Sequence, residues 1–341
     1  MSATGAVLNR PLLDVDALTV RFRSRQGLVH AVSDVSFTLG RGEILAIVGE
    51  SGSGKSTTGL AIMGLLPTDR NTAVAGAVRL ASKSGGVKDV LRLTDRERRQ
   101  VRGNDVAVIF QDPMSSLNPI YSVGSQIVEA VRQHREVDSR HAAAEALRLL
   151  VELGIPNPDR ILASYPHQLS GGMRQRVMIA IALSCRPSVL IADEPTTALD
   201  VTIQAQILAL LKRLQRETAM AVIFITHNLG VVAEIADRMI VMYAGRIVET
   251  GAVRDVFKAP RMPYTQSLLR SLPRLDNLEQ ASAPLEAIPG NVPSALALPA
   301  GCSFHPRCRH HRSGVCDCGI PTLEACAPDR FVRCARWREI S

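Results

Sequence analysis

Residues 44–57 read Ile-Leu-Ala-Ile-Val-Gly-Glu-Ser-Gly-Ser-Gly-Lys-Ser-Thr, and this segment has the clearest structural pattern of the chain. Five apolar residues run directly into a turn of glycine and serine, and a helix is predicted from Lys55 to about Leu66. A continuous apolar run of this length is typical of a parallel strand that is buried on both faces. The spacing Gly-x4-Gly-Lys-Ser between a strand and a helix predicts a phosphate-binding loop, whereas an ordinary glycine-rich turn needs neither neighbour.

The chemistry of this loop predicts a nucleotide bound with magnesium. Glycines let successive backbone N–H groups point inward and cradle phosphate oxygens, and the helix N-terminus adds a partial positive charge. We expect Lys55 to reach the β- and γ-phosphates and the Ser56 hydroxyl to be a ligand of Mg²⁺. The residues of this stretch predicted to bind ATP are Gly49, Ser51, Gly52, Ser53, Gly54, Lys55, Ser56 and Thr57.

Two adjacent carboxylates supply the second half of such a site. The apolar run from Val189 to Ala192 predicts a strand, and it ends in Asp193 and Glu194. Successive side chains at a strand tip point apart, so the two acids can have different roles. We expect Asp193 to hold Mg²⁺ through water and Glu194 to polarise the water that attacks the γ-phosphate. The alternative is a pair of solvated acids at the start of a helix.

The order of predicted elements indicates an α/β fold. After the strand that ends at Asp193, the pattern predicts helix Val201–Thr218, strand Ala221–Thr226, helix Leu229–Ala236 and strand Arg238–Met242. This alternation is typical of a parallel sheet covered by helices. Residues 12–39 alternate between apolar and polar types, which predicts half-buried antiparallel strands. Residues 123–153 are predicted to be helical.

A second helix start rich in glycine lies at Leu169-Ser170-Gly171-Gly172-Met173. One nucleotide needs one phosphate-binding loop, so a second anion-binding turn in the same chain indicates a dimer. This stretch resembles the signature sequence of ABC ATPases. The resemblance implies that Ser170, Gly171 and Gly172 of one subunit close on the nucleotide that is bound by the other subunit.

The remaining elements of the ABC family are also recognisable, and the resemblance implies their roles. Gln111 follows a predicted strand and resembles the glutamine of the Q-loop. This resemblance implies that Gln111 is a catalytic residue and a ligand of Mg²⁺. Asp200 resembles the aspartate of the D-loop, which implies that it faces the ATP of the partner subunit. His227 resembles the switch histidine, which implies a contact with the γ-phosphate. Phe22 is the candidate for stacking on adenine, although it fits the core of a strand equally well. The implied fold is a P-loop NTPase with a RecA-like core, an antiparallel β subdomain and a helical subdomain at about 112–185.

Longer motifs resemble one branch of the family, the oligopeptide/dipeptide importers, and Met173 resembles the D-type subunit of that branch. These motifs are Gln111–Pro119, Tyr165–Gln168, Pro263–Leu269 and Gly301–Cys308. The resemblance implies an ATPase that powers peptide import by nucleotide-driven dimerisation. Its implied partners are a second ABC ATPase (a copy or a paralogue), two transmembrane permeases and, indirectly, a substrate-binding protein. A nickel or other metal chelate, or haem, stays open as the cargo.

Length and composition limit the other function classes. Hydrophobic residues make up 46% of the chain, which excludes global disorder. The length of 341 residues predicts two domains, an ATPase domain at 1–260 and an extension at 261–341. The net charge of +8 is compatible with nucleic acid. However, only 114 residues separate Lys55 from Ser170, too few for the long coiled-coil arms of DNA-repair ATPases, so we expect no nucleic-acid partner. With no apolar leader and no membrane-spanning run, the protein is expected to stay in the cytosol. The resemblance to importers implies that it lies at the cytoplasmic face of the membrane.

Six of the seven cysteines lie close together in an otherwise irregular, proline-rich tail. Four thiolates in such a segment are able to hold Zn²⁺ or a [4Fe–4S] cluster, and the absence of paired C-x2-C knuckles favours iron–sulfur. The family resemblance implies a [4Fe–4S] cluster, and Cys318 is a substitute for the third ligand. The ligands implied by the family spacing are Cys302, Cys308, Cys316 and Cys334.

Overall fold

The computed structural model describes residues 11–196, 199–271 and 288–340. The strands in these ranges are β1 (Leu13–Ser24), β2 (Gly27–Leu39), β3 (Ile44–Val48), β4 (Thr72–Ala81), β5 (Val87–Asp89), β6 (Val106–Ile109), β7 (Val189–Asp193), β8 (Ala221–Thr226), β9 (Arg238–Tyr243), β10 (Arg246–Ala252), β11 (Glu324–Ala327) and β12 (Arg330–Val332). The α-helices are α1 (Lys55–Ile62), α2 (Asp95–Val101), α3 (Pro113–Ser116), α4 (Val123–His134), α5 (Ser139–Glu152), α6 (Pro158–Ala163), α7 (Gly171–Leu183), α8 (Val201–Thr218), α9 (Leu229–Ile235), α10 (Val253–Lys258) and α11 (Pro263–Arg270).

Two sheets position the predicted site. The larger one has the order β11-β12-β10-β9-β3-β8-β7-β6, and its pairs from β9 to β6 are parallel. The smaller one has the order β2-β1-β4-β5 and is antiparallel throughout. Both arrangements confirm the α/β fold class. Because β3, β8 and β7 are neighbours and parallel, the loops that follow them meet at one edge of the sheet.

The strands at the centre of the larger sheet are buried on both faces. All five residues of β3 and all six of β8 are buried, which explains their continuous apolar runs. On one face they pack against α7 and α8, and on the other against α1 and the antiparallel sheet. Burial of this many aliphatic side chains holds the sheet edge rigid at the positions where the polar residues emerge.

Helices α3 to α7 lie in the chain between β6 and β7, within the predicted helical subdomain. The region 123–153 is helical, as predicted, and consists of two helices; Asp138 caps the second by accepting a hydrogen bond from the His141 amide. The predicted capping box of α2 is present, because Thr94 and Glu97 exchange side-chain and backbone hydrogen bonds.

The C-terminal extension is less irregular than the sequence indicated. Helix α11 follows Met262, and β12 pairs with β10 through Glu249 opposite Val332. The extension therefore continues the same sheet that carries β3. In the described ranges, no helix is both long and apolar enough to cross a membrane.

Candidate active site

The phosphate-binding loop leaves β3 in a conformation that requires glycine at two points. Gly49 has φ 149°, and a Cβ there would collide with the backbone carbonyl oxygen of Met242. Gly54 has φ 98°, and its Cβ would lie 2.5 Å from the carbonyl oxygen of Ala31. No other residue type fits these positions without moving the backbone. The loop therefore wraps closely around the start of α1, as the sequence predicted.

The donors of the loop fit a phosphate group. The Ser53 hydroxyl is buried and has no hydrogen-bond partner within the described ranges. The Lys55 ammonium donates to the carbonyl oxygens of Gly49 at 2.8 Å and Glu50 at 3.0 Å. Burial lowers the pKa of Lys55, while Glu194, Asp193 and Glu50 oppose that shift. An unsatisfied hydroxyl and a desolvated ammonium at a helix N-terminus form a donor set suited to an anion.

A pair of oxygen donors beside the loop fits magnesium. The Ser56 hydroxyl donates to Oδ1 of Asp193 at 3.1 Å, so the two predicted ligands are adjacent. Burial, together with the neighbouring Glu194, raises the pKa of Asp193, while the Ser56 hydrogen bond opposes this. A nearby cation would favour the charged carboxylate, and hydroxyl and carboxylate oxygens are ligands that Mg²⁺ prefers.

Glu194 brings the three predicted catalytic residues together. Its Oε2 accepts a hydrogen bond from the Gln111 amide nitrogen at 3.0 Å, and its Oε1 lies 3.0 Å from Nδ1 of His227. The backbone of Glu194 has φ 46°, a left-handed conformation that is costly for this residue type, and its N–H donates to the Ile225 carbonyl at 2.9 Å. This turn places the Glu194 carboxylate between the ends of β6 and β8, which Gln111 and His227 follow in the chain.

The signature and D-loop residues lie side by side on the surface. Ser170 caps α7 by accepting from the Met173 amide, and Asp200 caps α8 by accepting from the Ile203 amide. A Cβ at Gly172 would lie 3.3 Å from Cγ2 of Ile203, so the two helix starts are in contact. Ser170, Gly171 and Asp200 are exposed, and their contact with a second subunit stays a prediction. Ala198, which precedes Asp200 in the D-loop motif, lies outside the described residues.

Phe22 packs partly against the core cluster that covers the antiparallel sheet. Its half-buried ring is compatible with both interpretations of the sequence, so its role at the adenine stays a prediction. Sequence reasoning missed two other contacts at the site, which reach Glu50 in the loop from Tyr264 and Arg307. No local pattern indicated them, because more than 200 residues separate the partners.

Four of the C-terminal cysteines line one small cavity, and they are the four implied by the family spacing: Cys302, Cys308, Cys316 and Cys334. Burial raises the pKa of Cys334 to about 11, and the three neighbouring thiols add to this. Cys318 is instead exposed beside Asp317. Among the described residues, no group of three or more His, Cys, Asp or Glu side chains is placed to hold a metal ion.

Known proteins resemble the chain over nearly its whole length. Residues 32–197 match the family model described as ABC transporter, and residues 248–316 match the one described as oligopeptide/dipeptide transporter, C-terminal region. The chain is 50% identical to the oligopeptide transport ATP-binding protein OppD of Salmonella typhimurium, covering 95% of this chain and 93% of the relative. It is 49% identical to the dipeptide transport ATP-binding protein DppD of Bacillus subtilis, covering 95% and 94%.

A solved structure supports the fold and the chemistry independently. The ATP-binding cassette MJ0796, in a dimeric post-hydrolysis state bound to ADP and Pi, superimposes with a TM-score of 0.61 at 27% identity. The match covers 71% of this chain and 99% of that one. Together with the loop, the paired carboxylates and the signature, these similarities establish that the chain is an ATPase and belongs to the oligopeptide/dipeptide family of ABC transporter ATP-binding subunits.

Proposed function

We propose that this chain is one of the two ATPase subunits of a peptide importer, and that it converts ATP hydrolysis into closing and opening of an ATPase dimer. The observation that carries the proposal is the carboxylate of Glu194, which is hydrogen-bonded to both Gln111 and His227 beside the phosphate-binding loop. Glu194 orients the attacking water, and His227 and Gln111 hold that carboxylate and sense the γ-phosphate. Preorganised groups of this kind contribute most of the rate enhancement in phosphoryl transfer.

The loop holds the nucleotide in this proposal. Backbone amides of residues 51–57 and the Ser53 hydroxyl bind the phosphates, and Lys55 exchanges its bonds to the loop carbonyls for bonds to phosphate oxygens. Ser56 and Asp193 hold Mg²⁺, with Gln111 as a further ligand when the γ-phosphate is present. The ion supplies positive charge at the γ-phosphate when it is bound.

The second subunit completes the site in this proposal. Ser170, Gly171, Gly172 and Asp200 contact the nucleotide of the partner. The proposal is supported by the two adjacent helix starts, at which Ser170, Gly171 and Asp200 are exposed. The neighbouring Val201 is 82% exposed, which is unusual for an aliphatic side chain. A dimer interface that covers Val201 would remove this surface from water. The partner is a second copy of this chain or a paralogue.

A groove in the helical region fits the permease partners. Asn118, Tyr121 and Gln126, which follow Gln111 in the chain, line a cavity of about 630 Å³ together with Arg99 and Arg102, which precede it. Ile120 and Met114 nearby are 73% and 61% exposed. An open groove, with exposed apolar side chains close to its lining residues in sequence, is suited to a short amphipathic helix of another chain. Docking of permease helices here places the protein at the cytoplasmic face of the membrane and links Gln111 to transport.

The four-cysteine cavity supports a [4Fe–4S] cluster within the extension at 261–341, held by Cys302, Cys308, Cys316 and Cys334. What supports it is that the four thiols line one cavity together with His305 and His310 and without a carboxylate, whereas no three of these side chains among the described residues are placed around a single ion. A single Zn²⁺ needs its donors at about 2.3 Å from one centre. A cluster contacts each thiolate through a different iron atom, so it tolerates thiols that are too far apart for one ion. All four ligands belong to the extension, so the cluster would tie down the proline-rich tail itself.

Transport in proteoliposomes tests the proposal. The chain is purified with its partner ATPase and permeases, and uptake of labelled di- and oligopeptides is measured with the substrate-binding protein present. We expect ATP-dependent uptake that Lys55→Ala abolishes and that Arg216→Ala, a substitution at an exposed position of α8, leaves intact. Uptake of a nickel chelate or haem without uptake of peptide would overturn the peptide cargo, and absence of ATP hydrolysis would overturn the whole proposal.

A further inference from the structure

The phosphate-binding loop is held from outside the ATPase core by an arginine of the C-terminal extension. The Arg307 guanidinium donates to both carboxylate oxygens of Glu50, with Nη1–Oε2 at 2.6 Å and Nη2–Oε1 at 3.0 Å. Glu50 is the second residue of the loop, and 257 positions separate it from Arg307. The Arg307 side chain is only 5% exposed. A two-pronged pair of this kind fixes direction as well as distance.

A second contact fixes the backbone at the same residue. The Glu50 N–H donates to the Tyr264 hydroxyl at 2.9 Å, and Tyr264 is fully buried on α11. Burial raises the pKa of Tyr264, so this hydroxyl stays protonated at neutral pH. Glu50 is therefore held at its side chain by one segment of the extension and at its backbone by another.

Both contacts are built on a rigid base. The rings of Tyr243, Tyr264 and Phe304 pack with centroids 4.5–5.3 Å apart. Arg307 lies over two of these rings, donates to the Tyr243 hydroxyl at 3.3 Å and donates from Nε to the Pro289 carbonyl at 2.9 Å. Because these partners contact the guanidinium on several sides, they restrict the Arg307 side chain without Glu50. Formation of the ion pair with Glu50 therefore costs little further conformational entropy.

The position of Glu50 matters for charge as well as for geometry. Its carbonyl accepts a hydrogen bond from Lys55, and its carboxylate contributes to the electrostatics of that ammonium. Without Arg307, an unpaired carboxylate would lie near the place where phosphate oxygens are expected. It would repel the nucleotide and compete for Lys55.

We propose that Arg307 and Tyr264 are positioning residues for the phosphate-binding loop, so that the C-terminal extension sets the affinity for MgATP. The inference rests on the proposed function, because it requires that this loop binds the nucleotide. Neither residue touches the nucleotide in this arrangement; both act through Glu50. Arg307 also precedes Cys308. The segment 302–308 therefore contains the arginine that pairs with Glu50 and two of the cysteines that line the cavity, Cys302 and Cys308.

The test is a double-mutant cycle on MgATP affinity, measured with the purified full chain and a fluorescent ATP analogue. We expect Arg307→Gln to raise the dissociation constant about tenfold, since removing one partner of a buried pair leaves the other unpaired. Glu50→Gln in the Arg307→Gln background should restore most of the affinity, because no unpaired carboxylate remains. Tyr264→Phe, which removes only the hydroxyl, should weaken binding several-fold, and it keeps the test valid if Arg307→Gln fails to fold.

Arg330→Gln is the matched control. Arg330 belongs to the same extension and pairs with the buried Glu249 at 2.9 Å, and the described hydrogen bonds join neither residue to Glu50. It should lower the free energy of unfolding and leave the MgATP dissociation constant unchanged. Equal loss of affinity in Arg330→Gln, or wild-type affinity in folded Arg307→Gln and Tyr264→Phe, would overturn the positioning role alone. A wild-type chain that binds no MgATP would overturn the proposed function with it.

Discussion

Glu194 and His227 are joined by a contact of 3.0 Å between Oε1 and Nδ1, although they follow different strands of the sheet. The carboxylate is mostly shielded, with 15% of its side chain exposed, whereas the imidazole is 64% exposed. One side of the His227 imidazole therefore contacts the Glu194 carboxylate, and the other side is open to a ligand. A group in that position is able to report the presence of a γ-phosphate to the residue that handles water.

Glu194→Gln should separate binding from hydrolysis. The amide keeps the shape of the side chain and a hydrogen bond, but it loses the negative charge that orients and activates water, so turnover should fall about 10²–10⁴-fold. MgATP should still bind, and the dimer should accumulate in its ATP-bound form. Single-turnover hydrolysis and size-exclusion chromatography with MgATP measure both effects. Glu97→Gln, in the exposed capping box of α2, is the control, and wild-type turnover in Glu194→Gln would remove Glu194 from the role.

Gly171→Asp should block the dimer without harming the subunit that carries it. A Cβ at Gly171 meets nothing within 4 Å, so the substitution adds charge in open space, whereas Gly172 already faces Ile203. The carboxylate would oppose the γ-phosphate held by the partner, while the subunit's own loop binds MgATP normally. Gly171→Asn, which has the same size and no charge, is the matched control. If Gly171→Asp lost MgATP binding as an isolated monomer, the arrangement across two subunits would be wrong.

Gln111→Ala should uncouple hydrolysis from transport. The side chain bonds to Glu194, and Tyr121, which lines the groove, follows Gln111 in the chain. We expect peptide uptake per ATP hydrolysed to fall severalfold and stimulation by the substrate to be lost, with the MgATP dissociation constant changed less than threefold. The readout is uptake and ATPase rate in the same proteoliposomes. Unchanged values of both would make Gln111 a polar residue at a strand end and no more.

Cys316→Ser and Cys318→Ser should differ in metal content. Cys316 lines the cavity with three other thiols, and its carbonyl accepts the Cys302 amide at 2.8 Å, whereas Cys318 is exposed beside Asp317. Anaerobically purified wild-type protein and Cys318→Ser should be brown with about four iron atoms per chain, since that is the composition of the cluster. Cys316→Ser should lose most of the iron. Colourless wild-type protein, or equal iron in both variants, would contradict the assignment.

The sequence predicted the elements that carry their own periodicity and caps. Helix α8 has the predicted bounds because Asp200 caps it and a regular apolar face runs to Thr218. The loop at Gly49–Ser56 was predictable because its glycines adopt positive φ angles, and such a local requirement is visible in the sequence itself. The family resemblance implied the roles of Gln111, Glu194 and His227, and they lie together because β6, β7 and β8 are neighbouring parallel strands that end at one edge.

The parts that escaped prediction depend on distant partners. Strand β12 has three residues, too few for a period, and it exists because Glu249 and Val332 pair across the sheet. The break between α4 and α5 has no proline or glycine, and only the cap at Asp138 indicates it. The contact of Arg307 with Glu50 has no local signal, because an arginine beside a cysteine is equally compatible with a solvated position.

The pair between Glu50 and Arg307 also sets an order of events during synthesis. At about 5–20 residues per second, the 257 positions between them take roughly 13–50 s to translate. During that interval the ribosome carries a cassette with a complete loop sequence but without the arginine that holds it. A nascent chain of this kind would bind nucleotide weakly, so ATP capture, and with it dimer closure, would wait for the cysteine-bearing segment to emerge and pack.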